Sequence, residues 1–180
     1  MSRLSIISLI LLLLVSCRGT AKTDLSKSNE SSSLSEPGKT KVVLLYPEEV
    51  SGKLTSYKTV IETRGEPQLD MEELIRTYLS IIPKENQVNP FPERAGLRAL
   101  FLLESDKAVI DLNSNSLEGG GSETETYRVY GLVNTLCLNF PEIKSVKILV
   151  DGQERDTFLG HIDLQYPIPP EPSLNGKILK

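Results

Sequence analysis

Tryptophan is absent from the 180-residue chain, histidine occurs once, as His161, and the only thiols are those of Cys17 and Cys137. Two cysteines cannot build the disulfide framework that holds many small secreted domains together. With a single imidazole, a metal site would have to be made mainly of carboxylates, and no run has the D-x-D-x-D-G spacing of a calcium loop. Basic residues are scattered: 20 Lys and Arg stand against 24 Asp and Glu, for a formal charge of −4. The Lys/Arg cluster of a nucleic-acid-binding surface is therefore missing, as is a polybasic segment for anionic lipid. Nor does any apolar run reach the roughly 20 residues that a membrane-spanning helix requires.

The longest apolar run, Leu4 to Val15, is broken only by Ser5 and Ser8 and follows one basic residue, Arg3. This is the plan of a secretory signal. It closes on Leu14, Val15, Ser16 and Cys17, which resembles the bacterial lipobox, where a small residue precedes a cysteine that receives diacylglycerol and becomes the new N-terminus. The other reading is an ordinary signal peptide with an incidental cysteine. The lipobox resemblance implies that residues 1–16 are removed, that Cys17 is the lipidation site, and that the mature protein sits outside the cytoplasm on a bacterial cell or outer membrane. A single acyl chain binds marginally, whereas two or three, at about 0.8 kcal/mol per buried methylene, hold permanently. From Arg18 to Thr40 the chain is polar, with six serines between Ser26 and Ser35. It has too little apolar surface to order itself, and residues 17–40 read as a lipidated cysteine and tether with an r.m.s. reach of about 25 to 30 Å.

Patterned sequence runs from Lys41 to about Ile168, a length suited to one domain. Val42 to Tyr46 is a continuous apolar run closed by Pro47, as in a buried strand, and Ser56 to Glu62 reads as a second strand. Met71, Leu74, Ile75, Tyr78, Leu79 and Ile82 share one helical face. Asp70 and Glu73 resemble a capping pair at its start, and Pro83 stops the helix. Pro83 to Pro92 is a loop, long for so small a domain. Leu97 to Leu103 and Lys107 to Leu112 read as two strands joined by a polar turn. Ser122 and Glu125 suggest a second capping box, opening a helix that carries Tyr127, Tyr130, Val133, Cys137 and Phe140, with Val129, Leu132 and Leu136, and ends at Pro141. Gly131 inside it costs about 1 kcal/mol relative to alanine, a cost usually offset by close packing against a sheet. Ser145 to Val150 is a third strand of this half, and Asp151 with Gly152 signals a tight turn returning along Gln153 to Phe158. Residues 169–180 read as a flexible tail. The order predicts an α+β fold, with two main helices on one side of a mixed sheet.

Few residues suggest chemistry. His161 reads as a structural imidazole beside a turn or, less simply, as a ligand or proton-transfer group. Cys137 falls on the apolar stripe of the second helix, as a core residue would. Gly119 to Gly121 precede a helix and suggest either a flexible helix start or an anion site, without the lysine of a P-loop. The sequence thus predicts no catalytic residues, no metal and no cofactor. Candidate contact surfaces are the Pro83 to Pro92 loop and the Asp151, Gly152 turn. The alternative is a wall hydrolase or small-ligand-binding protein with a carboxylate site around Asp111, His161 and Asp163.

One resemblance spans most of this pattern. Ala108 to Leu112, Gly119 to Ser122, Leu132 to Leu136, Val146 to Gly152 and Gly160 to Leu164 resemble the GerMN domain of sporulation and spore-germination proteins. The resemblance covers residues 41–168 and is most specific in the second half. It implies a fold similar to the ring-building motif, with a helix, strand, strand, helix, strand core, and a non-enzymatic envelope role, with another envelope protein or peptidoglycan as partner and no nucleic acid. The chain departs from some members in having one copy of the domain and no attached hydrolase or wall-binding domain.

Overall fold

The computed structural model describes residues 38–176, apart from 85 and 105. The signal, Cys17, the tether up to residue 37 and the last four residues lie outside the described part. The elements follow in the order β1 (Gly38–Glu48), β2 (Lys53–Thr63), α1 (Pro67–Ser80), β3 (Leu97–Leu103), β4 (Lys107–Leu112), α2 (Ser122–Asn139) and β5 (Ser145–Val150). Short 3-10 turns lie at Ser114–Leu117 and Pro172–Leu174. The α+β class and the helix-strand-strand-helix-strand core are as the sequence predicts. Among the described residues, no helix is long and apolar enough to cross a membrane.

The strands divide into two sheets. β1 and β2 form an antiparallel ribbon, with Val42 opposite Thr59 and Leu44 opposite Tyr57. β3, β4 and β5 form a mixed sheet in that order, antiparallel between β3 and β4 and parallel between β4 and β5. The single mixed sheet expected from the strand order is thus replaced by a ribbon and a three-stranded sheet. The reason lies in α2: the outer edge of β1 meets this helix instead of another strand. The Asn139 amide mimics a strand there, accepting from Val43 N at 3.0 Å and donating to Val43 O at 2.7 Å, and Thr135 Oγ1 accepts from Leu45 N at 2.9 Å.

Several boundaries move for local reasons. β1 starts at Gly38 and β2 spans Lys53–Thr63 because the ladder is continuous beyond the apolar residues that suggested it. α1 begins at Pro67, a residue suited to a first helical position. Asp70 is therefore inside the first turn, and its carboxylate reaches back to accept from Arg64 N at 2.6 Å instead of capping its own helix. Glu66 occupies the cap position without a side-chain cap bond. α1 ends at Ser80, so Ile82 leaves the apolar face and is 89% exposed. The Ser122 and Glu125 capping box is also corrected: Gly121 is the N-cap and no side chain caps the helix. After the Asp151, Gly152 turn, the return strand reduces to one bridge between Val150 and Gln153. The tail is docked as far as Gly176: Gly176 N donates to Leu54 O at 2.8 Å, and Asn134 clamps Glu171 through both its N–H and its carbonyl at 2.8 and 2.9 Å.

The core lies where α1 and α2 meet the two sheets. Leu44, Leu74, Tyr78, Leu100, Ile110, Leu132, Leu136 and Val146 are fully buried within it. Burying tyrosine is tolerable only if its hydroxyl finds a partner. Tyr46 and Tyr78 stack at 4.7 Å and supply each other's strand and helix with donors, to Tyr78 O at 2.6 Å and to Leu45 O at 3.2 Å. Gly131 accommodates this pair: a Cβ there would sit 2.3 Å from Tyr78 Oη and 3.2 Å from Leu45 O. The close helix-to-strand approach expected to offset the cost of this glycine is present.

Candidate functional site

The start of α2 organises one end of the domain. Gly119 and Gly120 take positive φ angles of 62° and 95°, turning the preceding carbonyls inward. Those carbonyls converge on Arg128, whose guanidinium donates to Ser116 O, Gly119 O, Glu118 O and Pro90 O at 3.2, 3.0, 2.9 and 2.8 Å. Its carbon lies 5.9 Å from the centre of the Phe91 ring, a cation–π distance. Burial lowers the Arg128 pKa. The Gly119 carbonyl is therefore one wall of a guanidinium cage that ties α2 to the Pro83 to Pro92 loop, while the three glycines themselves are exposed.

Glu125 does similar work on the other side. It is 0% exposed, and its carboxylate accepts from Leu159 N at 2.8 Å, Ile162 N at 2.8 Å and His161 N at 3.2 Å. The His161 ring Nδ1 lies 2.7 Å from Oε2. Burial is the largest single influence and pushes the Glu125 pKa up, but the hydrogen bonds from Ile162, Leu159 and His161 together hold it below the ordinary carboxylate range. Phe158, buried in the core, and Lys147, which donates to Leu164 O at 2.8 Å and Gln165 O at 2.9 Å, fasten the flanks of the same segment. His161 thus points an exposed ring over a shallow depression of about 340 Å³ shared with Tyr130, Asp163 and Tyr166.

The carboxylate set considered from sequence divides. His161 and Asp163 line that depression, where Asp163 Oδ1 accepts from Gln165 N at 2.7 Å. Asp111, buried on β4, is engaged elsewhere: Oδ2 pairs with Arg98 Nε at 3.0 Å and Oδ1 accepts from Gly152 N at 2.8 Å. Asp151 joins the same cluster, 3.4 Å from Arg98 Nη1 and 3.3 Å from Ser114 N. Asp111 and Arg98 therefore hold the Asp151, Gly152 turn, in which both residues take positive φ. Among the described residues, no Ser, Cys or Lys lines the His161 depression to serve as a nucleophile beside the imidazole. Among the described residues, no group of three or more His, Cys, Asp or Glu could hold a metal ion. Cys137 is half-buried, and burial pushes its thiol up to about 11.

The Pro83 to Pro92 loop bounds a cleft of about 610 Å³, lined by Leu79, Ile82, Val88 and Phe91 among others. Its backbone is pinned. Asn89 Nδ2 donates to Tyr78 O, Leu79 O and Ile81 O at 3.2, 3.1 and 3.0 Å, answering the carbonyls left unpaired at the end of α1. Gln87 Nε2 donates to Thr55 O at 3.0 Å, and Val88 N to Pro47 O at 3.1 Å. Gln87, Val88 and Asn89 are thus held in place, and Ile82 stays exposed.

Sequence reasoning missed Glu125, Arg128, Asn134 and Asn139 as organising residues. Their spacing held a signal: Glu125, Val129, Leu132 and Leu136 lie on one helical line, as do Arg128, Leu132, Thr135 and Asn139, so polar groups occupy positions that belong to the buried stripe.

The sequence pattern of the Germane family, described as sporulation and spore germination, matches residues 44–156. No match to the chain was found among curated proteins. Solved structures share the fold. A Clostridium perfringens chain assigned as a lipoprotein is 22% identical, with 77% of this chain and 93% of that one covered at a TM-score of 0.54. The first GerMN domain of the Bacillus subtilis sporulation protein GerM is 15% identical over 72% of this chain and 97% of that one, also at 0.54. Against the tandem GerMN domains of GerM, identity is 15% and TM-score 0.54, with 77% of this chain but 48% of that one covered, so this chain spans about half of the tandem.

Proposed function

The chain belongs to the Germane family of sporulation and spore-germination domains, and from that membership we propose that it is a non-enzymatic envelope lipoprotein, anchored through Cys17, whose domain docks onto another envelope protein or peptidoglycan. The observation that carries this reading is the cleft at the Pro83 to Pro92 loop. An isoleucine that is 89% exposed beside Val88 and Phe91 loses free energy in water, and the loop around it is held too firmly by Asn89 and Gln87 to fold the side chain away. A prearranged apolar surface of this kind suits contact, because little ordering remains to be done on binding.

Cross-linking in native membranes followed by identification of the bound species tests the reading. Adducts are expected from the cleft and are expected to fall several-fold with Ile82→Glu. Cys17→Ala is expected to release the protein from membranes, and continued tight attachment refutes the anchor. Peptidoglycan converted to soluble fragments by the protein, but not by an Asp163→Ala variant, overturns the non-enzymatic assignment in favour of a hydrolase.

A further inference from the structure

The ribbon of β1 and β2 is packed on one face and bare over part of the other. Val42, Leu44 and Ile61 turn into the core, so by the alternation of a strand Lys39, Lys41 and Val43 share the opposite face with Lys58, Val60 and Glu62. Farther along that face Leu45 and Leu54 are fully buried. Toward the open end of the ribbon the cover stops: the three lysines and Glu62 are exposed, Val60 is 50% exposed, and a groove of about 420 Å³ is lined by Lys41, Val43, Lys58 and Val60 among others. The register sets Lys41 opposite Val60 and Lys58 opposite Val43, so two ammonium groups stand at diagonal corners of a valine pair, while Lys39 faces Glu62, which offsets it. Among the described residues the lysine ion pairs involve Lys107 and Lys147, and Lys41 and Lys58 have no carboxylate partner. The chain has no polybasic segment; the ladder is what brings Lys58 beside Lys41.

We propose that this bare face docks onto the anionic phospholipid headgroups of the membrane that carries the anchor, with the lysines over phosphates and the two valines against the interface. The proposal rests on the anchoring at Cys17 put forward above, and three observations select lipid as the occupant. The first is position: the ladder ends with Gly38 opposite Thr63, so the patch begins one residue from where the chain arrives from the tether. From Gly38 to Val43 the strand covers roughly 17 Å, less than the tether's reach of about 25 to 30 Å. The second is chemistry. Lysine is a compact charge on a flexible apolar stem, suited to a fluid array of phosphates around a small aliphatic centre, whereas a fixed carboxylate or phosphate site favours the planar fork of arginine. The third is the field of the whole chain, which carries a formal charge of −4. The same headgroups repel the rest of the domain and so orient this face toward them. Because the anchor makes docking an intramolecular step, a weak attraction suffices.

The test uses the full chain, expressed with its signal, purified in detergent and inserted into preformed vesicles of phosphatidylcholine with or without phosphatidylglycerol. A neutral, membrane-impermeant maleimide reports the exposure of Val60→Cys, read against the unsubstituted chain, whose Cys137 sets the background. On vesicles containing phosphatidylglycerol the reaction is expected to slow about tenfold relative to phosphatidylcholine alone, a bias within the reach of two lysines near an anionic surface. The slowing is expected to vanish at ~0.5 M NaCl, where charges are screened within a few ångström. It is expected to vanish also when Lys41→Glu and Lys58→Glu are combined, and to survive Lys41→Arg with Lys58→Arg. Ile82→Cys, exposed on a different part of the domain, is expected to react at one rate on both kinds of vesicle. The proposal is overturned if Val60→Cys reacts equally fast on both, if Ile82→Cys is slowed as much, or if the charge reversals leave the slowing intact. Flotation with phosphatidylcholine vesicles reports the anchor separately. A chain that floats there yet shows no slowing at Val60→Cys overturns the docked face alone, and one that does not float overturns the anchor and the docked face with it.

Discussion

Replacing Glu125 by glutamine removes one charge from the fully buried group that holds residues 159–162. Glutamine keeps one acceptor oxygen, which can still serve Leu159 N and Ile162 N. Its amide group, however, stands where Oε2 now faces His161 N at 3.2 Å and His161 Nδ1 at 2.7 Å. Hydrogen bonds to a charged group contribute about 1.5–3 kcal/mol each, and opposing donors add a desolvation cost, so the expected loss is about 2–4 kcal/mol. The pH dependence follows from the lowered pKa of Glu125 in the fold. A carboxylate held below its unfolded value stabilises fully above that value, about 4.3, and the contribution disappears as pH falls through the folded value. Parent and Glu125→Gln should therefore differ most at neutral pH and converge in acid. Urea denaturation of the chain from residue 18 onward, at several pH values, measures both effects. A loss under about 0.5 kcal/mol at neutral pH, which is no more than an ordinary surface substitution causes, refutes the reasoning, as does a difference that stays constant into acid.

Gly131→Ala drives a methyl to 2.3 Å from Tyr78 Oη. Overpacking of about 1–3 kcal/mol should outweigh the roughly 1 kcal/mol gained in helix propensity, giving a lower melting temperature in calorimetry. Asn139→Leu deprives Val43 of both its partners on the outer edge of β1. It should cost about 1–3 kcal/mol and raise light scattering on mild heating, since the edge is then open. Cys137, with its thiol pushed up to about 11 by burial, should resist a thiol-reactive dye at about pH 8 until denaturant is added, because only the thiolate reacts.

The element order was legible because it rests on local periodicity. β3, β4 and β5 were read from their apolar runs and bounding turns, and α1 and α2 from stripes at helical spacing. Boundaries were legible where a turn lay directly against them, as between Leu103 and Lys107, whereas Pro83 did not mark the end of α1, which falls at Ser80. Pro67 could open a helix as readily as Gly65 could close the chain before it, so the start of α1 and the role of Asp70 depended on where the Arg64 amide came to lie. The assignment of Ser122 and Glu125 to a capping box failed for a related reason: the same carboxylate had a better set of donors 34 to 37 residues away, and sequence spacing carries no information about them.

What the sequence determined by itself, then, is the run of strands and helices, the single histidine, the lack of a basic cluster and the family pattern along residues 44–156, all properties that depend on residue type and short-range order. The tertiary structure alone decided which polar groups are buried and what they hold. It sent Glu125 to the His161 segment, Arg128 to the glycine loop, Asp111 to Arg98, and Asn139 to the edge of β1. Among the described residues, it also left Ile82 exposed. The physical reason is that a buried polar group must find its partners wherever the packed backbone places them, and that placement is set by long-range contacts.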